Sequence, residues 1–324
     1  MKKVLITTIP FGETNPLPLE LLKDAGINFE FNPLGKRLKE SELAEIVTDF
    51  DAIIAGTEPI TDMVMSKASR LKLISRVGIG LDSVDICAAR NRNILVSYTP
   101  DAPAKAVVEL TIGLMLNLLR GIHLANSQMH QGNWGRIMGR RLGETTIGLI
   151  GLGRVGTGVL MRLQAFGCPR ILVNDIQPKR HLETAFEFEW ADKNRIYEEA
   201  DVISLHVPLT HHTKSMIKKA ELEMMKSDVL LVNTARGGIV NEDDLYDILM
   251  REGIGGAAID VFEREPYDGP LCNLQNCLLT SHMGSMSEDC RSRMEIEATE
   301  EVVRFLTGKP LKSLVPEEEY EARQ

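Results

Sequence analysis

Short apolar runs alternate with stretches in which apolar residues recur every three or four positions, and the alternation holds through nearly all of the chain. Residues 4–10, 52–56, 72–77 and 94–98 read as strands, and helical periodicity falls on 17–25, 40–49, 61–68 and 84–91. Strands separated by helices predict parallel sheets covered on both faces. A second series follows, with strands predicted at 146–151, 171–175, 202–206, 229–234, 256–260 and 278–281. Six is the number of strands in a complete doubly wound sheet. Between the two series, one long helix is predicted over 104–130. It is apolar on almost every face, so it must be enclosed on all sides, between domains or in a subunit interface. A last helix is expected over 287–306, and the acidic tail 317–324 is expected to fray.

The 324 residues suit two domains. The pattern predicts an α/β protein of two flavodoxin- or Rossmann-like doubly wound domains with parallel sheets. A domain over 1–99 is completed by 286–324, and so is discontinuous; a second domain occupies 100–285. Lys and Arg number 37 against 46 Asp and Glu, a formal charge of −9, which disfavours nonspecific binding to nucleic acid or an anionic membrane. Arg136, Arg140 and Arg141 still form a local basic spot, either an exposed loop or a contact for an anionic ligand. Five cysteines (87, 168, 272, 277, 290) make an odd set without a CxxC pattern, so neither a disulfide framework nor a metal site is expected, and reduced, mostly buried thiols are. The N-terminal apolar run is short and lacks a small-residue cleavage site, which reads as a strand rather than a signal peptide. Residues 107–119 contain Glu109, Thr111 and Asn117 and are too few to span a bilayer. A cytoplasmic protein is expected.

The strand at 146–151 runs into Gly151-Leu152-Gly153-Arg154-Val155-Gly156, and helical periodicity starts at once. Gly151 permits the tight turn, Gly153 lets backbone approach a pyrophosphate, and Gly156 allows close helix–strand packing. The helix start offers N–H groups and partial positive charge to phosphates. Glycines also gather in ordinary turns, but here both the preceding strand and the following helix are present. Asp175 closes the next strand, placed to accept hydrogen bonds from ribose hydroxyls. A 2′-phosphate about 4 Å from it would meet a repulsion of roughly 4 kcal/mol per charge pair at an effective dielectric near 20, so NAD is favoured over NADP. Lys179 and Arg180 soften that repulsion.

Three further residues follow strand ends: Arg236 after 229–234, Glu265 after 256–260 and His282 after 278–281. Ligands of open α/β sheets bind outside the carboxyl ends of strands, so the three converge on one crevice. A histidine passes protons near neutral pH, a carboxylate on its other nitrogen fixes its tautomer, and a guanidinium grips a carboxylate through parallel hydrogen bonds. Each also has a plain structural reading: a loop arginine, a surface carboxylate and a strand-end cap.

The ordered motifs (Arg-Val-Gly-Ile-Gly-Leu-Asp at 76–82, the glycine motif at 151–156, His-Val-Pro-Leu-Thr at 206–210, Asn-Thr-Ala-Arg-Gly-Gly at 233–238, Glu265-Pro266 and His282-Met-Gly-Ser) resemble the D-isomer specific 2-hydroxyacid dehydrogenase family, which includes 3-phosphoglycerate dehydrogenases. The resemblance implies hydride transfer between NAD and C2 of a small D-2-hydroxy or 2-keto acid. Arg236 would bind substrate, His282 would be the acid/base and Glu265 its partner. Val77, Gly78, Ile79 and Gly80 would offer backbone N–H groups to the substrate carboxylate. The cofactor would meet Gly151, Gly153, Arg154, Val155, Gly156, Asp175, His206, Val207, Pro208, Thr234, Ala235, Asp260, Gly284 and Ser285, with Asp260 on the carboxamide. The resemblance further implies a homodimer joined through 104–130, with substrate held where two lobes meet.

His206 either lines the cofactor or caps its strand. His211 and His212 read as solvated, Trp134 as packing or substrate contact, and Met224 and Met225 as core. Departures bear on the substrate. Phosphoglycerate dehydrogenases tend to carry an Arg-Ser pair after the third strand, whereas Gly56-Thr57-Glu58 stands here, and Glu58 would repel an anion. Ser83 and Pro103 also replace the usual Asn, leaving Arg76 or the Arg136–141 group to hold any phosphate. A phosphoglycerate dehydrogenase-like activity, a glyoxylate or hydroxypyruvate reductase, and an NAD-sensing interaction protein are the competing readings.

Overall fold

In the computed structural model, which describes residues 2–167 and 170–321, the alternation becomes two separate parallel sheets. One unit comprises the residues up to Pro103 together with those from Ser285 on; the other is Ala104–Gly284.

The first unit runs β1 (Lys3–Ile6), α1 (Leu17–Asp24), β2 (Asn28–Phe31), α2 (Glu40–Ile46), β3 (Ala52–Ala55), α3 (Asp62–Lys67), β4 (Leu73–Arg76), α4 (Ile86–Asn91) and β5 (Leu95–Ser97). Its strand order, β2-β1-β3-β4-β5, is that of flavodoxin-like sheets, and every pair is parallel. All residues of β3 and β4 are buried, as strands covered on both faces must be. Strand β2 has no such run; three of its four residues are exposed at the sheet edge, so no apolar pattern announced it. Helix α11 (Glu288–Leu306) returns to this unit, packing on α1, β3 and β4, with Ser75 Oγ donating to the Ala298 carbonyl at 2.8 Å. The tail does not fray over its described part. Residues Glu317–Glu321 form α12; Tyr320 is buried, and Arg90 both lies over its ring and pairs with Glu317. Just before it, Val315 N–H donates to Val96 O, covering the open edge of β5. Residues 322–324 lie outside the described residues.

The second unit runs α5 (Ala104–Arg120), α6 (Ile122–His130), β6 (Thr146–Ile150), α7 (Arg154–Leu163), β7 (Arg170–Asn174), β8 (Glu189–Trp190), α8 (Lys193–Glu199), β9 (Val202–Leu205), α9 (Lys219–Met224), β10 (Leu230–Asn233), α10 (Glu242–Met250), β11 (Gly256–Ile259) and β12 (Cys277–Leu279). Its order is β12-β11-β10-β9-β6-β7-β8, all parallel, seven strands rather than six. The extra strand, β8, is two residues long and too short to register as a pattern.

The single helix predicted over 104–130 is two. Gly121 takes φ 59° and the axes bend by 65°. A side chain at Gly121 would also run into Ile137, part of the segment that folds back past the break. Helix α5 buries Val108, Ile112, Leu114, Met115, Leu118 and Leu119 in the core over the sheet, but Glu109 and Gly113 stay exposed and α6 buries nothing. Enclosure on all sides is therefore not achieved within the chain. No single helix among the described residues is long and apolar enough to cross a membrane.

Of the cysteines, Cys277 and Cys290 are buried, Cys87 is half-buried and Cys272 is exposed; Cys168 lies outside the described residues. Burial pushes the Cys277 thiol up to about 12 and that of Cys290 up to about 11, so both stay protonated.

Gly148, in the interior strand β6, has no room for a side chain: a Cβ there would strike Ile196 of α8 and crowd Ala200 just past that helix. Gly148→Ala is expected to destabilise the protein by about 1–3 kcal/mol, read as a lower urea midpoint at unchanged slope. An unchanged midpoint would refute the packing described.

Candidate functional site

In the second unit the carboxyl ends of six strands gather the predicted residues on one edge. The sheet reverses its direction of growth between β6 and β9, the switch point at which such sheets open a crevice. The β6 loop crosses that point. Gly151 has φ 99°, and a side chain there would run into the His206 carbonyl. A Cβ on Gly156 would overlap the Gly151 carbonyl, so the loop closes tightly on the first turn of α7. Gly153, the N-cap of α7, differs: its Cβ would point into open space, and no side chain caps the helix. Bare backbone at a helix start, facing open space, fits a pyrophosphate seated against Gly153, Arg154 and Val155.

Asp175 lies one residue beyond β7. Its Oδ2 accepts the Leu152 N–H at 2.6 Å and its Oδ1 accepts the Gln177 N–H at 2.8 Å. The carboxylate is thus bound to the glycine loop and keeps lone pairs for a ribose. Lys179 donates to the Leu152 carbonyl at 2.7 Å, so its ammonium is tied to the same loop.

His206 follows β9 with its Nε2 2.9 Å from Ser204 Oγ, while Nδ1 is sealed from solvent without a hydrogen-bond partner. Burial pushes this imidazole down to about 4. Val207 lies against Gly151, and Pro208 is exposed with its carbonyl accepting from Thr213 Oγ1. His211 and His212 are exposed, as the polar loop suggested.

The β10 loop is held from within. Asn233 Oδ1 accepts the Ala235 N–H at 3.1 Å and its Nδ2 donates to the Arg236 carbonyl at 2.9 Å. Thr234 Oγ1 lies 2.8 Å from Thr111 Oγ1, which pins the loop to α5. Arg236 Nη1 donates to Ala235 O. Gly237 touches the Phe262–Glu263 backbone so closely that a Cβ would overlap it. The Arg236 and Glu265 loops are thereby packed together.

His282 and Glu265 meet. Nδ1 of His282 lies 3.0 and 2.9 Å from the two Glu265 carboxyl oxygens, so Nδ1–H donates to the carboxylate. The other ring nitrogen, Nε2, has no hydrogen-bond partner among the described residues. Glu265 Oε1 also accepts the Phe262 N–H at 3.1 Å. His282 has φ 51°, a costly conformation for a residue with a side chain. Asp260 enforces it: its carbonyl accepts the His282 N–H at 2.8 Å, and its carboxylate accepts from Thr280 Oγ1, Met283 N–H and Gly284 N–H at 2.6, 2.9 and 3.0 Å. Asp260 is 1% exposed. The sequence reading gave it only a cofactor carboxamide, whereas most of its hydrogen-bonding capacity supports the histidine loop. Glu242, not singled out in the sequence, accepts the Glu263 N–H at 2.7 Å. Burial pushes its carboxyl up, with Glu263, Asp243 and Glu265 adding like charge.

In the first unit, Arg76 Nε and Nη2 donate to the Gly80 carbonyl and Nη1 to Ala55 O, clamping the loop of Val77, Gly78, Ile79 and Gly80. This corrects two expectations. The Val77 and Gly78 N–H groups already donate, to Ala55 O and Thr99 Oγ1 at 2.9 Å each, so neither is spare for a carboxylate. Arg76 points into its own loop rather than toward a phosphate. In the second unit Arg140 is committed to Asp228, and Arg141 pairs with Glu144. Ser285 is counted with the first unit. Among the described residues, no group of three or more His, Cys, Asp or Glu has a metal-holding arrangement.

Residues 112–284 match the family model described as "D-isomer specific 2-hydroxyacid dehydrogenase, NAD binding domain". A D-3-phosphoglycerate dehydrogenase from Methanocaldococcus jannaschii is 38% identical over 283 residues, covering 86% of this chain and 54% of the relative. A hydroxypyruvate reductase from Thermotoga maritima is 35% identical over 284 residues, covering 86% of this chain and 92% of the relative. The chain thus spans about half the length of the first and nearly all of the second. A crystal structure of a Thermus thermophilus protein superposes with a TM-score of 0.88 at 33% identity, covering 97% of this chain and 100% of that one.

His206, half-buried with its Nδ1 sealed, binds fewer protons folded than unfolded between its folded value of about 4 and an unfolded value near 6.5. Its contribution to stability is complete above about pH 6.5 and is lost as the pH falls toward 4, about 3 kcal/mol in full. His206→Asn is expected to flatten the pH dependence of the urea midpoint between pH 7 and 4.5. A variant that tracks the wild type over that range would contradict the burial.

Proposed function

Because the chain belongs to the D-isomer specific 2-hydroxyacid dehydrogenases, we propose that it is an NAD-dependent enzyme interconverting a small D-2-hydroxy acid and its 2-keto acid. The observation that carries this is the His282–Glu265 contact, which leaves Nε2 as the proton-handling atom on the sheet edge that also holds Arg236 and the glycine loop. NAD, when bound, supplies or takes the hydride at C2. His282 Nε2–H gives its proton to the carbonyl oxygen during reduction and takes it back during oxidation. Glu265 holds the ring in that tautomer and stabilises the imidazolium. Arg236 orients the acid by hydrogen bonds to its carboxylate and carbonyl. In the first unit, the Ile79 and Gly80 amides are the backbone donors offered to a carboxylate. Glycines 151, 153 and 156 seat the pyrophosphate, and Asp175 favours a ribose with free hydroxyls, hence NAD.

The D-3-phosphoglycerate dehydrogenase and hydroxypyruvate reductase relatives bracket the substrate. The enzyme works as a homodimer in the cytoplasm, where the thiols of Cys87, Cys272, Cys277 and Cys290 stay reduced. Support for the dimer comes from the segment beyond the Gly121 bend, where Ile122, Met129, Trp134 and Met138, close in sequence, are exposed, the last two by 80% and 97%. Large apolar groups left in water so close along one segment suit a surface that a second copy covers.

Purified protein is expected to oxidise NADH with glyoxylate or hydroxypyruvate, and His282→Ala to lower kcat by about 10²–10⁴-fold. Full turnover by that variant would remove the histidine from the chemistry. A Trp134→Ala, Met138→Asp double variant is expected to sediment as a monomer at micromolar concentration, against a dimer for the wild type; equal sedimentation of both would refute this interface.

A further inference from the structure

The first unit carries a buried carboxylate that hydride transfer does not use. Glu58 stands just past β3 and is 2% exposed. Its Oε1 accepts the Gly56 N–H at 3.0 Å and the Thr7 hydroxyl. Its Oε2 accepts no hydrogen bond among the described residues, and no cation lies within ion-pair distance. A Cβ built on Gly56 would come 2.8 Å from Glu58 Oε2 and 3.1 Å from Thr8 Oγ1. An unsatisfied acceptor and a hydroxyl oxygen thus lie against the same bare Cα.

The guanidinium groups nearest in the fold are committed elsewhere. Arg291 donates to Glu295, Thr8 Oγ1 and the Pro10 carbonyl, and Arg37 donates to the Thr57 carbonyl. Arg76 clamps the glycine loop. They ease the burial of a negative charge without directing a donor at Oε2. Oε2 is not among the sealed side-chain atoms that lack a partner, so it stays open to a donor brought from outside the unit.

Strand β3 lies between β1 and β4. The Ala55 carbonyl at its end accepts the Val77 N–H and Arg76 Nη1, tying the Glu58 loop to the loop that presents the Ile79 and Gly80 amides. Neighbouring strands lie about 4.8 Å apart, close to the reach of a three-carbon acid from its carboxylate to its C3 substituent. An acid held by those amides is long enough to reach the Glu58 loop.

We propose that Glu58 sets the substrate class, accepting 2-keto and 2-hydroxy acids whose C3 group donates a hydrogen bond and bears no negative charge, and rejecting those that carry a phosphate there. The inference rests on the dehydrogenase reading and adds the far end of the substrate to it. A C3 hydroxyl satisfies Oε2; a phosphate dianion has no donor to offer and meets like charge at contact distance. Chemically, this places the protein among reductases of unphosphorylated hydroxy-keto acids.

The test follows NADH oxidation with glyoxylate, hydroxypyruvate and 3-phosphohydroxypyruvate. Glyoxylate has no C3 and reports the reaction itself. For the wild type, kcat/KM with hydroxypyruvate is expected to exceed that with the phosphorylated acid by about 100-fold or more. Glu58→Gln keeps an acceptor for Thr7 and Gly56 but removes the charge, and is expected to shrink that ratio at least about tenfold, chiefly through KM for the phosphorylated acid. Glu58→Asp keeps the charge and is expected to keep the wild-type ratio within about threefold. If the wild type uses both acids equally well, or Glu58→Gln leaves the ratio where it was, the assignment is overturned. The wild-type ratio decides even if a variant fails to fold. Silence with glyoxylate as well would instead overturn the dehydrogenase reading, and this inference with it.

Discussion

Asp260 stands at the point where the site is made rigid. It follows β11 directly, begins the loop that carries Glu265, and binds the loop that carries His282 through its backbone carbonyl and both carboxyl oxygens. An L residue in the left-handed region is disfavoured by about 1–2 kcal/mol, so His282 keeps φ 51° only because the surrounding contacts leave it no alternative. Those contacts come from groups inside the fold, where hydrogen bonds to an ionised carboxylate are strong. From that conformation follows the direction of the imidazole, and from the direction follows its meeting with Glu265. Gly237 extends the same constraint sideways by letting the Arg236 loop touch the Phe262–Glu263 backbone. Guanidinium, carboxylate and imidazole belong to one mechanical assembly, although each comes from a different strand.

The nucleotide half of the edge is built on a contrasting principle. Where the catalytic side is crowded with internal hydrogen bonds, the α7 start leaves backbone exposed: Gly153 faces open space and no side chain caps the helix. Asp175 and Lys179 both bind Leu152 and so stiffen the loop that would bear the phosphates. Rigid backbone donors aimed at a vacant volume suit an anion that arrives already charged and needs no proton moved. A half-buried, neutral His206 against the loop adds bulk without adding charge.

Much of this was legible in the sequence, because strands covered on both faces must be apolar throughout and the glycine motif needs a strand before it and a helix after it. The missing parts share physical causes. Strand β2 is exposed and β8 is two residues long, so neither leaves an apolar signature. The break at Gly121 was hidden because an apolar pattern continues across it, and only the fold-back of Ile137 shows why a glycine is required. The Glu317–Glu321 helix looked like a solvated acidic tail until Arg90 supplied both its counter-charge and a platform for Tyr320. Within the site, the chemical residues were visible and their supports were not. Thr280 and Glu242 are ordinary polar residues whose meaning lies in partners elsewhere: Thr280 in Asp260 and Glu242 in the Glu263 amide. The Val77 and Gly78 amides were misjudged for the same reason, since their acceptors, Ala55 and Thr99, are distant along the chain.

The two carboxylates, Glu265 and Glu58, show how environment divides one functional group into two uses. Glu265 has a histidine against both oxygens and a backbone amide besides, so it holds that ring and serves to fix a tautomer. Glu58 gathers its two protein donors on one oxygen and leaves the other to whatever enters. A carboxylate satisfied on both sides holds protein in place; one satisfied on a single side selects what approaches it. The fold makes that difference with small means, a bare Cα at Gly56 and the diversion of Arg76 into its own loop. Changes confined to the loop after β3 can therefore alter which acid is accepted while the assembly around Asp260, which belongs to the other unit, stays as it is.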